Sequence, residues 1–244
     1  MTAADYYRVK HTRRFVAGAT TVDSLPTRFS DSLGLLYSVR EIYLNEVYRF
    51  ESETVEPRIV DVGANIGLSI RYFKRLYPRA KILGYEPDPD IFAMLQSNVG
   101  NLCDVELRNA AAWTENTTLK FYREGSLAGS SEVDCTGRGY EIEVLAERLK
   151  DELRKAPVDF LKMDIEGAES TLLFDIEDDL DQVKLLFFEY HSSPDRPQRL
   201  GELLELVRRK GFRFQINGVV APKLPFVQRV KRGFDLQLNV YCFR

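Results

Sequence analysis

The chain is poor in the residues that build disulfide frameworks and metal centres. Its 244 residues include three cysteines and two histidines. Cys103, Cys135 and Cys242 lie far apart and form no CxxC pair, which argues against a disulfide framework and a zinc ribbon. A site with three histidine ligands is excluded, because His191 is the only histidine after His11. This use of cysteine predicts a reducing, cytoplasmic setting.

Long apolar runs and a strong net charge are also missing. No apolar run approaches the roughly 18 residues of a membrane-spanning helix, and the N-terminus carries no signal-peptide core. We therefore expect a soluble protein that does not insert into a membrane. The net charge of −3 shows no overall bias toward nucleic acid. With 44% hydrophobic residues, the chain fits one α/β domain better than two.

One stretch, residues 59–68, combines a short apolar run, a glycine turn and the start of a helix. Gly63 and Gly67 suit a strand that reverses into a helix, because such a turn needs positive φ angles and leaves room for a ligand. The dinucleotide fingerprint is absent, since Asn65 stands where its second glycine would be, and so is the Lys-Ser/Thr pair of a P-loop. The remaining pattern, headed by Asp61, resembles the cofactor turn of class I S-adenosylmethionine-dependent methyltransferases. That resemblance implies S-adenosylmethionine as the cofactor, and an acid suits its cationic end.

A second apolar strand ends in Glu86, which lies 19 residues beyond Gly67. An acid at this position of a βαβ unit hydrogen-bonds the ribose hydroxyls of a nucleotide cofactor. The small residues that follow the third strand are expected to lie against the adenine. The predicted cofactor site consists of Asp61, Gly63, Asn65, Gly67, Glu86, Asn109, Ala110, Ala111 and Asp164.

From residue 58 onward, apolar runs alternate with amphipathic segments. This alternation predicts a Rossmann-like α/β fold, with a mostly parallel seven-stranded sheet and helices on both faces. The last two strands are expected to be antiparallel or paired as a hairpin, because no helical crossover separates them. We predict strands at 58–62, 81–86, 104–108, 158–164, 183–190, 212–217 and 236–243, and helices at 67–77, 89–100, 167–175 and 196–210.

The N-terminal part of the chain precedes this alternation. Residues 1–57 are predicted to be a helical segment that caps the core. Within it, apolar residues at helical spacing predict an amphipathic helix over 33–50. Residues 58–244 would then form the catalytic domain.

An insertion interrupts the rhythm between the third and fourth parallel strands. Two β segments, 119–122 and 140–144, flank a loop of small residues at 125–131. They are predicted to form a β-hairpin at the sheet edge, followed by a short helix at 144–152.

Ligands in open α/β sheets bind beyond the carboxyl ends of the strands. Four of the five predicted parallel strands carry an acid at that end, which is far more than packing requires. Asp164 and Glu189 end two strands that this fold places side by side, about 5 Å apart. Their charges would repel one another unless a cation or a proton lies between them. We therefore predict a reaction centre that contains Lys162, Asp164, Glu189 and His191.

Two motifs together resemble a known family. The turn at 60–67 and the K-x-D-x-E-G-x-E run at 162–169 look like those of the FkbM family of S-adenosylmethionine-dependent methyltransferases. The fifth strand of that family ends in an E-x-H similar to residues 189–191. The likeness covers the chain from about residue 45 to the C-terminus. It implies an O-methyltransferase that acts on hydroxyls of glycans or secondary metabolites.

The insertion carries one further likeness and one departure. Its serine-rich loop, with Ser126, Ser130 and Ser131, also resembles the family. Where the family has a T-L-D-D segment before the fourth strand, this chain has the residues LAER at 145–148. Any role of that aspartate pair is therefore not carried over.

Three interpretations of the reaction centre follow from its residue types. A divalent metal, Mg²⁺ or Mn²⁺, held by Asp164, Glu189 and His191 would polarise the acceptor hydroxyl. Alternatively, His191 acts as a general base, with Lys162 as its electrostatic partner. In the third interpretation the acids only cap helices, and Lys162 is their counter-ion.

The acceptor is predicted only by class, as a small molecule or saccharide. A loop at 222–233 is either solvated or recognises an anionic acceptor such as a nucleotide sugar. Its basic residues are Lys223, Arg229, Lys231 and Arg232. A nucleic-acid methyltransferase is disfavoured, because the chain is acidic overall and has no Asn-Pro-Pro-Tyr motif. A non-catalytic cofactor-binding protein is disfavoured too, since unused buried charges would destabilise the fold.

Overall fold

The computed structural model describes residues 1–123, 129–131, 140–228, 230 and 233–244. Its strands are β1 (Gly18–Val22), β2 (Leu25–Phe29), β3 (Arg58–Val62), β4 (Lys81–Tyr85), β5 (Val105–Arg108), β6 (Ala111–Trp113), β7 (Thr117–Tyr122), β8 (Glu141–Arg148), β9 (Val158–Met163), β10 (Val183–Ser192), β11 (Arg213–Val220) and β12 (Leu236–Phe243). Its α-helices are α1 (Ala3–Lys10), α2 (Ser32–Val39), α3 (Leu68–Leu76), α4 (Pro89–Val99), α5 (Leu149–Leu153), α6 (Glu169–Asp175) and α7 (Leu200–Arg209). A π-helical turn, Arg40–Leu44, continues α2, and a 3-10 helix, Glu177–Gln182, follows α6.

The central sheet has seven strands in the order β11-β12-β10-β9-β3-β4-β5. Strand β12 is antiparallel to both of its neighbours, whereas the other pairs in this sheet are parallel. The strand order reverses between β3 and β9, and such a switch point opens a crevice beyond the carboxyl ends of the strands. The predicted fold class, a mostly parallel seven-stranded α/β sheet, is confirmed.

Apolar residues cover both faces of the sheet. Neighbouring residues of a strand point to opposite faces, so Ile59 packs in one cluster with α3 and α4, while Val60 packs in a second cluster with α6 and α7. Phe187 and Phe188 of β10 divide between the two clusters in the same way. Burial on both faces explains why the central strands read as continuous apolar runs.

The N-terminal segment differs from its prediction. The predicted helix over 33–50 is shorter, because α2 ends at Val39 and the π-helical turn that continues it ends at Leu44. The segment also contains an unpredicted hairpin, β1 and β2, joined by Asp23 and Ser24 with φ angles of 48° and 64°. Two consecutive positive φ angles form the hairpin turn, but Asp-Ser lacks the glycine that usually marks it in a sequence. The description of this segment as helical is therefore incomplete.

The insertion is a three-stranded sheet rather than a hairpin. Strands β7 and β8 pair antiparallel as predicted, and β6 adds a parallel pairing to the other edge of β8. The helix predicted at 144–152 is wrong over its first half, because β8 continues to Arg148 and α5 begins at Leu149. Alternating burial, with Val144 and Ala146 inside, is typical of a strand. The segment 144–148 is too short for its sequence to distinguish this alternation from a helical pattern.

Some predicted loop residues lie outside the described part of the chain. These are Gly125 and Ser126 of the insertion, and Arg229, Lys231 and Arg232 of the basic loop. Among the residues that the structure describes, no helix combines the length and apolarity that crossing a bilayer requires.

Candidate functional site

The turn after β3 is shaped by contacts within the protein. The N–H groups of Gly63 and Ala64 donate to the carbonyl oxygen of Tyr85, at 3.1 and 2.8 Å. Gly63 has a φ of 90°, and a Cβ there would lie 1.9 Å from the carbonyl oxygen of Asp164. Glycine is therefore required because the end of β9 passes directly against the turn.

The second glycine sits where α3 meets α4. Gly67 has a φ of 89°, and a Cβ there would lie 2.8 Å from the side chains of Leu95 and Val99. Asn65 also has a positive φ of 47°, and its Oδ1 accepts the Ile66 N–H at 2.8 Å. This local hydrogen bond is one reason why asparagine tolerates the left-handed region.

Asp61 is fully buried behind the turn. Its Oδ1 lies 3.0 Å from Nζ of Lys162, and its Oδ2 accepts the Ser69 hydroxyl at 2.5 Å. Nζ of Lys162 also donates to the carbonyl oxygen of Gly63 at 2.8 Å. Burial lowers the pKa of Lys162, but the charges of Asp61 and Asp164 outweigh it and raise that pKa. Asp61 and Lys162 thus form an ion pair that ties β3, β9 and the turn together.

Glu86 reaches into the crevice from the end of β4. Its Oε2 accepts the Asn65 N–H at 3.0 Å, and its Oε1 accepts the Asp88 N–H at 2.9 Å. The residue is 6% exposed, and burial together with the charge of Asp88 raises its pKa to about 8. Asn109, the residue after β5, supports this segment, since its Nδ2 donates to the carbonyl oxygens of Glu86 and Pro87 at 2.9 and 3.1 Å.

The ends of β9 and β10 bring Asp164 and Glu189 to neighbouring positions. The parallel register pairs Phe188 with Met163, so the next residue along each strand is Glu189 and Asp164. Burial and the charge of Asp164 raise the pKa of Glu189 to about 8. Burial is the larger cause, and repulsion between the two neighbouring carboxylates adds to it.

His191 is enclosed by three glutamates. Its Nδ1 lies 2.9 Å from Oε1 of Glu169, and its Nε2 lies 3.3 Å from Glu166 and 3.5 Å from Glu189. The side chain is 1% exposed. Burial lowers its pKa, yet the charges of Glu166, Glu169 and Glu189 raise that pKa well above the usual value. This cage stabilises an imidazolium, which cannot accept a proton.

Glu166 and Glu169 were missed as site residues. Oε1 of Glu169 accepts the N–H groups of Ile165 and Gly167 at 3.1 and 3.2 Å, in addition to its contact with His191. Glu169 therefore holds the loop between β9 and α6 as well as the imidazole ring. The E-G-x-E spacing in the sequence was the available signal, because a glutamate at a helix start often reaches back to cap the preceding loop.

A cavity of about 310 Å³ lies beyond these strand ends. Tyr37, Glu41 and Tyr48 of the N-terminal segment form one wall, and Ala111, Trp113 and Phe121 of the three-stranded sheet form another. Of the predicted site residues, Gly63, Asn65, Glu86, Ala111, Lys162, Asp164 and Glu189 line the cavity, while Asp61, Gly67, Asn109, Ala110 and His191 lie outside its lining. Residues of the predicted cofactor site and residues of the predicted reaction centre therefore line the same cavity.

One set of side chains approaches the arrangement of a metal site. Asp164, Glu169 and His191 each offer a ligand atom, and these atoms lie within 4.8 Å of one another. This set contains Glu169 in place of the predicted Glu189. However, Oε1 of Glu169 already accepts two backbone N–H groups, and Nδ1 of His191 faces that oxygen. A metal ion in this cluster would therefore have to be bound by His191 through Nε2 of its imidazole.

The chain is similar in sequence to a methyltransferase family and to several proteins named as methyltransferases. The family model described as the methyltransferase FkbM domain matches residues 61–214, more than half of the 244 residues. Methyltransferase 1 of Beauveria bassiana is 29% identical over 165 residues, covering 57% of this chain and 66% of that protein. The 2-O-methyltransferase NoeI of Sinorhizobium fredii is 29% identical over 157 residues, covering 57% and 65%. The 31-O-demethyl-FK506 methyltransferase FkbM of Streptomyces tacrolimicus is 26% identical over 213 residues, covering 71% and 80%. The chain thus spans about two thirds of the length of the first two relatives.

Proposed function

The chain belongs to the FkbM methyltransferase family, and on that premise we propose that it uses S-adenosylmethionine to methylate a hydroxyl of a saccharide or another small molecule. The family resemblance drawn from the two motifs is confirmed by the match over residues 61–214. One observation carries the proposal: a single cavity joins the glycine turn and Glu86 to the carboxylates of Asp164 and Glu189. Oxygen as the acceptor atom is supported by the names of two relatives, a 2-O-methyltransferase and a 31-O-demethyl-FK506 methyltransferase.

The cavity fits a cofactor of this kind in size and charge. Its volume of about 310 Å³ falls at the lower end of the range of ligand pockets. Glu86 would accept the ribose hydroxyls, the backbone of residues 63–66 would border the amino-acid end, and Ala111 would face the adenine. The acids at the ends of β9 and β10 complement a cationic ligand. When bound, S-adenosylmethionine supplies an electrophilic methyl group on a sulfonium.

Glu189 would accept the proton of the acceptor hydroxyl. It lines the cavity beside Asp164, at the end of β10, and two strands separate it from β4, which leads to Glu86. A carboxylate in a buried, negatively charged environment is a stronger base than one in water, and the pKa of Glu189 is raised to about 8. An alcohol becomes a competent nucleophile only as it loses its proton, so this step raises the rate of transfer.

His191 would orient Glu189 rather than act as the base. Its Nε2 lies 3.5 Å from Oε1 of Glu189, and Glu169 holds the opposite ring nitrogen. The predicted role of His191 as a general base does not fit this position, because the ring is buried outside the cavity lining and caged by carboxylates. Lys162 is paired with Asp61, whereas the counter-ion interpretation assigns it to the acids of the reaction centre.

The hypothesis of a bound metal ion agrees better with the positions of the carboxylates than with that of the imidazole. Mg²⁺ or Mn²⁺ would be held by Asp164 and Glu189, with Nε2 of His191 as a third ligand, and would polarise the acceptor hydroxyl. The contacts of His191 with three glutamates favour a proton as the compensating charge instead. We therefore propose the metal-free mechanism, which chelation tests directly.

The N-terminal segment, residues 1–57, would cap the acceptor side of the cavity. Tyr37, Glu41 and Tyr48 already line it there. The predictions of a cytoplasmic setting and of an acceptor that is not a nucleic acid remain part of this proposal. They rest on the cysteine content and on the overall charge of −3.

Three measurements test the proposed function. Calorimetric titration with S-adenosylmethionine should give saturable one-to-one binding, and no binding would contradict the proposal. A panel of hydroxylated saccharides, small metabolites and a control RNA, incubated with the cofactor, should show a methyl mass increase only on the hydroxylated small molecules. The same assay in the presence of a chelator should give unchanged turnover, whereas loss of turnover that Mg²⁺ or Mn²⁺ restores would support the metal mechanism.

A further inference from the structure

Arg123 connects the three-stranded sheet to the segment that carries Glu86. It directly follows β7, and its backbone N–H donates to the carbonyl oxygen of Tyr140 at 2.8 Å. Its guanidinium forms a two-point contact with Asp88, since Nε lies 2.7 Å from Oδ2 and Nη2 lies 2.8 Å from Oδ1. Nη2 also contacts Asp90. The Arg123 side chain is 27% exposed, and that of Asp88 is 5% exposed, so solvent screens this pair only in part.

Asp88 contacts Arg123 through its side chain and Glu86 through its backbone. The backbone N–H of Asp88 donates to Oε1 of Glu86 at 2.9 Å, and its Oδ1 accepts the Asp90 N–H at the start of α4. The second carboxylate oxygen of Glu86 accepts the Asn65 N–H from the glycine turn. Glu86 is thus held from one side by the turn and from the other by the segment that Arg123 contacts.

The three-stranded sheet is itself part of the cavity wall. Phe121, two residues before Arg123, is 5% exposed and lines the cavity together with Ala111 and Trp113. A displacement of this sheet would therefore change the cavity wall and the support of Asp88 at the same time. The guanidinium is the charged link between the two, and a two-point contact fixes orientation as well as distance.

We infer that Arg123 is a positioning residue for cofactor binding, which acts through Asp88 to hold the Glu86 carboxylate toward the ribose. This inference rests on the proposed function, because it takes Glu86 as the ribose-binding acid. It assigns the insertion a part in cofactor affinity that neither sequence motif contains.

The first test is the affinity for S-adenosylmethionine measured by calorimetry. Arg123→Ala should weaken binding about tenfold, the size of a typical coupling between contacting charged residues. The affinity of Arg123→Lys should fall between those of the wild type and Arg123→Ala, because an ammonium keeps the charge but cannot make the two-point contact. Lys120→Ala is the matched control, since Lys120 of β7 pairs with Glu141 within the insertion at 2.8 Å, and it should change the affinity less than twofold.

A double-mutant cycle separates positioning from general damage to the fold. In the Glu86→Ala background, Arg123→Ala should cause no further loss of affinity, whereas independent effects would multiply. Asp88→Asn provides a second route, because asparagine still caps α4 but lacks the charge and the second oxygen that the guanidinium contacts, and it should cause a loss in the same direction as Arg123→Ala.

The outcomes distinguish this inference from the proposed function. If the wild-type protein does not bind S-adenosylmethionine, both are overturned. If the wild type binds, an unchanged affinity of Arg123→Ala, an equal loss in Lys120→Ala, or a full additional loss in the Glu86→Ala background overturns the positioning role alone.

Discussion

The two ends of the cavity treat buried acids in opposite ways. At the cofactor end, Asp61 has Lys162 and Ser69 as partners, and Glu86 accepts two backbone N–H groups. At the reaction end, three glutamates surround one imidazole, and Glu166 and Glu189 share that imidazole through its Nε2. Asp164 adds a fourth carboxylate beside Glu189.

This difference indicates that one end of the cavity serves ligand binding and the other serves catalysis. Acids that are satisfied by fixed donors keep one geometry and suit recognition of a rigid ligand. Acids that outnumber their counter-ions are stronger bases when ionised, since burial and mutual repulsion raise the pKa of both Glu166 and Glu189. Substitutions at the first end should therefore change binding or folding, whereas substitutions at the second should change turnover.

The largest effect is expected from Glu189→Gln. The amide keeps the shape of the side chain but cannot accept a proton, so turnover should fall about 10²–10⁴-fold. The affinity for S-adenosylmethionine should stay within a factor of about three, because the cofactor end is untouched. Glu205→Gln, on the exposed face of α7 in a pair with Arg208, is the control and should behave as the wild type. A tolerated Glu189→Gln would move the base to another residue.

Gly63→Ala should damage the fold itself. A Cβ at 1.9 Å from the carbonyl oxygen of Asp164, combined with a φ of 90°, should lower the free energy of unfolding by roughly 3 kcal/mol or more. Denaturant unfolding measures this loss. Gly201→Ala is the matched control, because nothing lies within 4 Å of its added Cβ, and it should be neutral or stabilising by up to about 1 kcal/mol. Equal effects at both positions would contradict the close approach of β9 to the turn.

Glu86→Ala should weaken S-adenosylmethionine binding by roughly 1–3 kcal/mol, the range for a buried polar group that loses its hydrogen-bond partner. Calorimetric titration gives the dissociation constant. Glu106→Ala serves as the control, since Glu106 lies on the neighbouring β5, pairs with Arg108 and is 60% exposed in its side chain. An affinity that does not change would remove Glu86 from the cofactor site.

The smallest effect concerns the pH dependence of stability. The pKa of Glu86 is about 8 in the folded protein against an ordinary value of 4.5, so the folded state holds a proton that the unfolded state has lost. The stability linked to this proton is fully present below about pH 4.5 and is lost as the pH rises through about 8.

Comparison with Glu86→Gln isolates this contribution from other titrating groups. The wild-type unfolding midpoint in denaturant should fall more between pH 5 and 8 than the midpoint of Glu86→Gln does. Parallel pH profiles for the two proteins would show that Glu86 is ionised in the folded state.

Much of the fold and part of the site could be predicted because their signals are local. Buried parallel strands need continuous apolar runs, so β3, β4, β9 and β10 were recognisable within a residue or two of their ends. The turn was recognisable because positive φ angles favour glycine and asparagine over neighbouring residue types. Acids at strand ends pointed to the crevice for the same reason, since a charge in a buried run has few structural uses.

Other features depend on which segments meet in space. The pairing of Lys162 with Asp61 joins residues about one hundred positions apart, and the pairing of β6 with β8 joins segments that are separated by a whole strand. The sequence placed His191 correctly at the end of a strand, but the three glutamates around it come from two different segments. Its electrostatic environment was therefore not readable from its neighbours in the chain. Local patterns determine where strands, turns and charges fall along the backbone, whereas the partners of each buried charge are set by tertiary packing, because the interaction energy depends on distance through space.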